Sequence, residues 1–174
     1  QANYGQRAAL RVAGYPVGEV LRDAHSPFDE AGGAGEPGMG SIVVTLATDA
    51  PLLPHQCTRL AQRASVGLAR VGGGTDNSSG DIFVAFATGN TGLPIVSYGR
   101  PGPTTVGVRM VADAHISALF DAAAEAVEEA IVNALVAATD LAARGVRVEA
   151  LGAARLVDAL RETGWRPRAG DAQL

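Results

Sequence analysis

A hydroxyl residue at the end of a glycine-rich stretch is the first feature of this sequence that could do chemistry. Residues 22–40 are rich in glycine, proline and acids, and at Ser41 the chain changes abruptly to an apolar, β-branched run. Gly40 has no Cβ, so its carbonyl carbon is open to attack by the Ser41 hydroxyl. A cut there frees an α-amine whose ordinary pKa, about 7.7–8.0, suits it to act as base for its own hydroxyl. Gly40-Ser41 is therefore a candidate self-cleavage site, although glycine and serine before a strand are also ordinary turn residues.

Two other groups of polar residues could assist such a nucleophile. Ser79 and Asp81, within the segment 78–81, stand two apart at the start of a second apolar run, where a hydroxyl and a carboxylate can orient a nucleophile or relay a proton. The same pattern is typical of a turn that enters a strand. Asn3, in the segment 1–5, carries an amide that can donate to an oxyanion. Its alternative is a loop asparagine that satisfies its own backbone.

Alternation of apolar runs with turn-rich segments predicts the elements that position these residues. The runs 41–48 and 81–88 indicate strands buried on both faces, and 104–111 indicates a third strand. Helices are predicted over 55–71, ended by Gly72–Gly74, from about 113 to 143, and over 151–162, ended by Gly164. A hairpin with its turn at Ala13-Gly14 is predicted over 7–20. This order favours a layered α/β domain, an αββα sandwich, with a parallel doubly wound sheet as the alternative.

Composition and the other reactive residues argue against several classes of protein. The net charge of the 174 residues is −4 and no basic stripe is visible, so nucleic-acid binding has little support. Cys57 is the single cysteine and belongs to an apolar helix face; the histidines, including His25 and His55, lie far apart. We therefore expect no disulfide and no metal. Gly72–Gly74 lacks the Lys-Ser/Thr of a phosphate loop. With no membrane-length apolar run and no signal peptide, we expect a cytoplasmic protein without membrane contact.

The low share of charged residues predicts buried surface. Aspartate, glutamate, lysine and arginine together make up 18% of the chain, which is low for a free-standing surface. We expect much of the surface to be covered by partner chains or by a missing segment. Gln1 is not a natural initiator, so the chain is expected to be a piece of a longer protein.

Several motifs taken together resemble the L-aminopeptidase/D-Ala-esterase/amidase family, which includes the β-aminopeptidases. The resemblance runs over most of residues 1–145, and several motifs in one order are more specific than any one of them. The matching segments are Gly40-Ser41-Ile42-Val43-Val44 with 47–52, then 62–64 and 67–70 of the following helix, 79–83 with 85–90, and upstream 1–5 and 10–18.

The resemblance implies a fold, an activity and a role for each candidate residue. The fold is an αββα sandwich of the N-terminal-nucleophile kind, and the chain is cut after Gly40. Ser41 corresponds to the family's nucleophile, Ser79 and Asp81 to its second serine and its acid, and Asn3 to its oxyanion donor. The β-aminopeptidases have a glutamate at the position of Asp81. Aspartate is one methylene shorter, which leaves room for a water between this carboxylate and the nucleophile's amine.

The resemblance also implies the division of the chain and its partners. Residues 1–40 correspond to the end of an upstream chain with its flexible linker, and 41–174 to the nucleophile chain, together part of one domain whose N-terminal half is absent. The partners are a short peptide, amino-acid amide or ester that loses its amino-terminal residue, the protein's own N-terminal segment, and further copies of itself in a homo-oligomer. No cofactor is implied.

Two other functions remain open at this point. An ornithine-acetyltransferase-like acyltransferase has a similar fold and also cuts itself, but its nucleophile is a threonine, and Ser41 argues against it. An inactive binding or assembly subunit would keep the fold without the chemistry. The presence of all four candidate residues argues against that second alternative.

Overall fold

The helices and strands follow one another in the order α, β, α, α, β, α, β, β, α in the computed structural model, which describes residues 1–2, 6–21, 40–75, 77, 79–95, 97–143 and 145–168. The helices are α1 (Val17–Val20), α2 (Pro54–Ala61), α3 (Ala64–Arg70), α4 (Ser117–Ala137) and α5 (Ala153–Glu162). The strands are β1 (Val43–Thr48), β2 (Ile82–Ala87), β3 (Leu141–Ala143) and β4 (Val146–Val148). Short 3₁₀ turns at Arg7–Ala9 and Asp113–His115 precede α1 and α4.

A parallel two-stranded sheet lies at the centre of the described chain. β1 and β2 pair in register from Val43 opposite Ile82 to Thr48 opposite Ala87, and the connection between them runs through α2 and α3. Because side chains alternate along a strand, the two strands present matching faces. β3 and β4 form a separate antiparallel hairpin.

Helices cover one face of this sheet and leave the other face open. The covered face packs against clusters formed by the loop before α2 and by α2, α3 and α4, through Val44, Leu46, Phe83, Ala85 and Ala87. Apolar side chains on the opposite face are about half exposed: Val43 47%, Ile82 54%, Val84 48% and Phe86 48%. The expectation of strands buried on both faces is therefore wrong for this chain taken alone. Helices on one face only also distinguish the described part of the molecule from a doubly wound sheet, which has helices on both.

α3 lies so close to α4 that the contact requires a glycine. A Cβ built on Gly67 would come 2.4 Å from the carbonyl oxygen of Ala124 and 2.8 Å from Cβ of Val127. Real side chains do not approach so closely, so α4 must shift if Gly67 gains a methyl group. The close approach holds α3 against the middle of the longest helix.

We expect Gly67→Ala to lower the free energy of unfolding of the full-length protein by about 1–3 kcal/mol, as overpacked cores do. The better helix propensity of alanine offsets about 1 kcal/mol at most. Urea unfolding followed by circular dichroism measures the change. Gly107→Ala is the matched control, since a Cβ there meets no described atom within 4 Å. Equal stability of the two variants would show that α3 and α4 are not in tight contact.

Two local predictions on the first half of the chain are only partly right. The turn at Ala13-Gly14 is present, with left-handed φ values of 50° and 82°, and Val12 and Tyr15 exchange backbone hydrogen bonds across it. The predicted strands of that hairpin are wrong, because a 3₁₀ turn and α1 flank the turn instead. The predicted helix 55–71 is divided into α2 and α3 at Gln62–Arg63, and it ends where expected, with Gly72 at φ 91°.

The third strand, predicted over 104–111, is wrong for the described chain. This segment is held in place by a side chain rather than by a neighbouring strand: the Asn90 amide accepts from the N–H of Arg109 at 2.8 Å and donates to its carbonyl at 3.0 Å. The N–H of Val111 also donates to the carbonyl of Pro51 at 3.0 Å. A strand is defined by backbone hydrogen bonds to a neighbouring strand. Within the described ranges this segment has no such neighbour, and the side chain of Asn90 binds its backbone instead. The later predictions are confirmed in part: α4 and α5 lie inside their predicted spans, and Gly164 follows α5 with φ 99°. The helix predicted to about residue 143 ends at Ala137, and the strand β3 occupies the last residues of that span.

The segment that precedes the glycine-rich stretch packs against the last helix. Val12, Val17 and Leu21 form one buried cluster with Leu156, Ala159 and Leu160 of α5. Trp165 packs against the same cluster, as expected for a packing residue. The N–H of Arg11 donates to the carbonyl of Val71 at 3.2 Å, which ties the segment to the end of α3 as well. Residues on both sides of Gly40-Ser41 thus share one core.

Candidate active site

Ser41 lies two residues before β1, beside the start of the neighbouring strand. The backbone N–H of Gly80 donates a hydrogen bond to Ser41 Oγ at 2.9 Å. The next bond in the ladder runs from the N–H of Ile82 to the carbonyl of Ile42 at 2.9 Å. Parallel pairing of β1 with β2 therefore brings together two segments that are 39 residues apart. Ser41 is half-buried, and its hydroxyl is held in one orientation by a backbone donor.

Asp81 links Ser79 to the segment that contains Ser41. Its Oδ1 accepts the hydroxyl of Ser79 at 2.5 Å and the backbone N–H of Ile42 at 3.0 Å. The carboxylate thus reaches across the strand ends to the residue that follows Ser41. Two hydrogen bonds thus join the loop 79–81 to the pair Ser41-Ile42. In one, a backbone N–H of the loop donates to the Ser41 side chain, and in the other, the backbone N–H of Ile42 donates to the Asp81 side chain.

The first residues of the chain also reach this end of β1. The N–H of Val43 donates to the carbonyl of Gln1 at 2.8 Å, and the nitrogen of Gln1 donates back to the carbonyl of Val43 at 2.9 Å. Ala2 forms an antiparallel bridge with Ile42. Asn3 lies outside the described residues, and so does His25. Gly40, on the other side of the candidate cut, is half-buried.

The structure brings together Ser41, Ser79 and Asp81 and leaves the weaker candidates elsewhere. His55 is exposed at the start of α2, and Cys57 packs against an apolar cluster with Leu52 and Leu60, as predicted. In the described ranges no group of three histidine, cysteine, aspartate or glutamate side chains is placed to hold a metal ion. None of the helices described there has the length and apolar character needed to cross a membrane.

An apolar groove runs along the open edge of β2 and is separate from this site. It is lined by Phe83–Ala87 of β2 and by residues of α2 and the loop before it, Cys57 among them. Ser41, Ser79 and Asp81 do not line it. The groove follows a strand edge without a described neighbour, whereas the candidate residues lie at the strand ends.

Two functional groups of this site were missed by sequence reasoning. They are the backbone N–H groups of Gly80 and Ile42, which bind the Ser41 hydroxyl and the Asp81 carboxylate. A backbone donor has no signature of its own in a sequence. The one available signal was the parallel alignment of the two apolar runs, which would place residue 80 beside residue 41.

Comparison with known proteins finds the family that the sequence motifs resemble. Residues 1–148 match peptidase family S58. Over 148 residues the chain is 45% identical to the beta-peptidyl aminopeptidase BapA of Sphingosinicella microcystinivorans, a match that covers 81% of this chain and 36% of the relative. The matched stretch is thus about a third of the relative's length.

Two solved structures have the same fold as the described chain. A beta-aminopeptidase from Burkholderia sp. superposes with a TM-score of 0.84 at 72% identity, over 95% of this chain and 43% of its own. The L-aminopeptidase D-Ala-esterase/amidase of Ochrobactrum anthropi, described as a prototype of the serine aminopeptidases and a variant of the Ntn hydrolase fold, gives 0.77 at 41% identity, over 93% and 42%. The predicted α/β fold of the N-terminal-nucleophile kind is confirmed, and the chain spans less than half of each solved relative.

Proposed function

Because the chain belongs to peptidase family S58, we propose that it is the nucleophile-bearing part of a self-processing serine aminopeptidase. The enzyme cuts its own chain between Gly40 and Ser41 and then releases amino-terminal residues from short peptides, amides or esters. Residues 1–40 end the upstream chain, and 41–174 form the nucleophile chain. No metal or cofactor takes part in this chemistry.

The observation that carries the proposal is the hydrogen bond from Gly80 N–H to Ser41 Oγ, together with the Asp81 carboxylate on Ile42. A serine that only forms a turn would not need contact with the loop 79–81 before β2, which carries a second serine and a carboxylate. Here Ser41, which follows the glycine-rich stretch, is also the serine whose hydroxyl this loop binds. That Ser41, Ser79 and Asp81 lie at one end of one sheet supports the proposal.

In the self-cleavage step, Ser41 Oγ forms a bond to the carbonyl carbon of Gly40, and the carbon–nitrogen bond between the two residues breaks. The hydroxyl proton passes to the departing nitrogen, which becomes the α-amine of Ser41. Water then hydrolyses the Gly40 ester and restores the hydroxyl. The product holds a nucleophile and a base on the same residue.

The same groups serve the reaction with substrate. The α-amine takes the proton of Ser41 Oγ as the oxygen attacks the substrate's carbonyl, and it returns a proton to the leaving amine. We assign Asp81 and Ser79 the role of holding the new chain end in line. Asn3 is assigned to the oxyanion; the support is that Ala2, the residue before it, bridges to Ile42 next to the nucleophile.

Intact-mass spectrometry of the full-length protein, followed by a substrate panel, tests the proposal. We expect a fragment that begins at Ser41, and hydrolysis of amino-acid p-nitroanilides by the cut protein. An active protein with the Gly40-Ser41 bond intact would contradict the free-amine mechanism. Transfer of acyl groups from an acyl donor without hydrolysis of anilides would indicate an acyltransferase, and a cut protein inactive with both would indicate an assembly subunit.

We expect the processed protein to associate into a homo-oligomer. The support is the small share of charged residues, 18%, and the number of apolar side chains exposed in the described chain. Sedimentation velocity at micromolar concentration, carried out on the full-length cut protein, measures the mass of the assembly. A mass of one protomer would contradict this expectation.

A further inference from the structure

Among the described residues, nothing in backbone conformation or packing requires a glycine at residue 80. Its φ lies outside the left-handed region, in contrast to Gly72 and Gly74. A Cβ built on Gly67 or Gly89 would collide with backbone atoms at 2.4 Å, whereas one built on Gly80 meets a single described atom within 4 Å. That atom is Ser41 Oγ, at 3.6 Å. The space beside the Gly80 α-carbon is open, and its one described neighbour is the nucleophile.

Two sets of bonds fix this space relative to the nucleophile. The N–H of Gly80 donates to Ser41 Oγ at 2.9 Å, and Asp81 Oδ1, one residue on, accepts from Ile42 at 3.0 Å. The α-carbon of Gly80 therefore cannot move away from the hydroxyl without breaking these hydrogen bonds at the start of β2. Any side chain at residue 80 would start within van der Waals contact of the attacking oxygen.

We propose that Gly80 determines which acyl groups the site accepts, an inference that rests on the proposed function. A carbonyl carbon must come to about 3–3.5 Å from Oγ before attack. The carbon next to that carbonyl then lies at about the same distance from Ser41 Oγ as a Cβ at residue 80 would. The bare α-carbon of Gly80 leaves room there for an acyl group whose carbon next to the carbonyl carries a substituent, as in an α-amino acid.

The same geometry separates the two reactions of the site. At the self-cleavage step the acyl group is Gly40, whose carbon next to the carbonyl has no side chain. In a β-alanyl substrate that carbon is also an unsubstituted CH₂, whereas in an L-alanyl substrate it bears a methyl and an amine. A methyl group at residue 80 therefore obstructs L-alanyl transfer more than it obstructs self-cleavage or β-alanyl transfer.

The test compares Gly80→Ala with Gly107→Ala in the full-length protein, using the isomeric pair L-alanine p-nitroanilide and β-alanine p-nitroanilide. A Cβ on Gly107 meets no described atom within 4 Å, so this control adds the same methyl away from the site. We expect Gly80→Ala to be cut at Ser41 and to melt within a few degrees of the control. Its kcat/KM for the L-alanyl substrate should fall at least about tenfold further than for the β-alanyl substrate, as for a pocket that gains one methyl group. Gly80→Ser, with a larger side chain, should increase that difference.

Three results would overturn the inference. Equal loss on both substrates, or none, would show that residue 80 does not distinguish acyl groups. A Gly80→Ala protein that unfolds or stays uncut would show that the glycine is needed for the fold or for self-cleavage instead. A parent protein that hydrolyses neither anilide and is uncut would reject the proposed function itself, which the first two results leave intact.

Discussion

Replacement of Ser41 by alanine is expected to leave the protein as one uncut chain and to lower kcat/KM for p-nitroanilides by at least about 10⁴-fold. Loss of the nucleophile in a serine hydrolase costs up to about 10⁶-fold in kcat. Here the base would be lost with it, because without the hydroxyl the α-amine is never released. Intact mass and a rate assay on the same preparation measure both effects.

The fold should survive this change. Gly80 N–H loses its acceptor, but the bond is exposed, so water can replace it and the free energy of unfolding should change by less than about 1 kcal/mol. Ser65→Ala is the matched control: Ser65 Oγ donates to the carbonyl of Gln62 at 2.7 Å, within one helical turn. That variant should be cut and active like the parent. A Ser41→Ala protein that is cut, or that keeps the parent's rate, would remove Ser41 from the mechanism.

Replacement of Asp81 by asparagine is expected to lower kcat at least about tenfold, or about 1.4 kcal/mol of barrier, with little change in the melting midpoint. The amide oxygen can still accept from Ile42 N–H and from the Ser79 hydroxyl, so the geometry is retained and the negative charge is lost. A nearby carboxylate raises the pKa of an amine by favouring its cationic form. Without the charge, the acid limb of the pH–rate profile should move to lower pH.

Two further variants separate the charge of Asp81 from its place in the fold. Asp158→Asn is the control, since Asp158 pairs with Arg161 at 3.2 Å on the exposed side of α5. It should match the parent in rate and in melting. Asp81→Ala should melt lower, because the N–H of Ile42 and the hydroxyl of Ser79 both lose their partner. An Asp81→Asn enzyme that is cut normally, melts lower and turns over at the parent rate would make Asp81 a structural residue.

β1, β2 and the longer helices could be predicted from apolar periodicity, whereas the short hairpin of β3 and β4 and the covered face of the sheet could not. β1 and β2 lie inside the predicted runs 41–48 and 81–88, since β-branched apolar residues favour strands wherever they are buried. Those runs are apolar on both faces, yet in the described chain only one face is covered. The solved relatives are more than twice as long as the part matched.

The contacts of the candidate site could not be predicted from the sequence, although three of its candidate residues lie together. The resemblance named Ser41, Ser79 and Asp81, and the structure places all three at one end of the sheet. Sequence spacing alone could not predict this arrangement, because the pairing of β1 with β2, and not closeness in sequence, brings Ser79 and Asp81 to Ser41. Asp81 was expected near the nucleophile's amine, and its described hydrogen bonds are with the Ser79 hydroxyl and with the backbone N–H of Ile42, the residue after Ser41.

The bonds between Gln1 and Val43, and the cluster that Val12, Val17 and Leu21 share with α5, join the two sides of Gly40-Ser41. A cut at that bond leaves every one of these contacts in place, so the two pieces stay together as one folded particle. Their unfolding, however, changes in molecularity. The uncut Ser41→Ala chain refolds in a first-order process, whereas the cut protein must bring two separate strands of polypeptide together. Its melting midpoint and its refolding rate therefore rise with protein concentration.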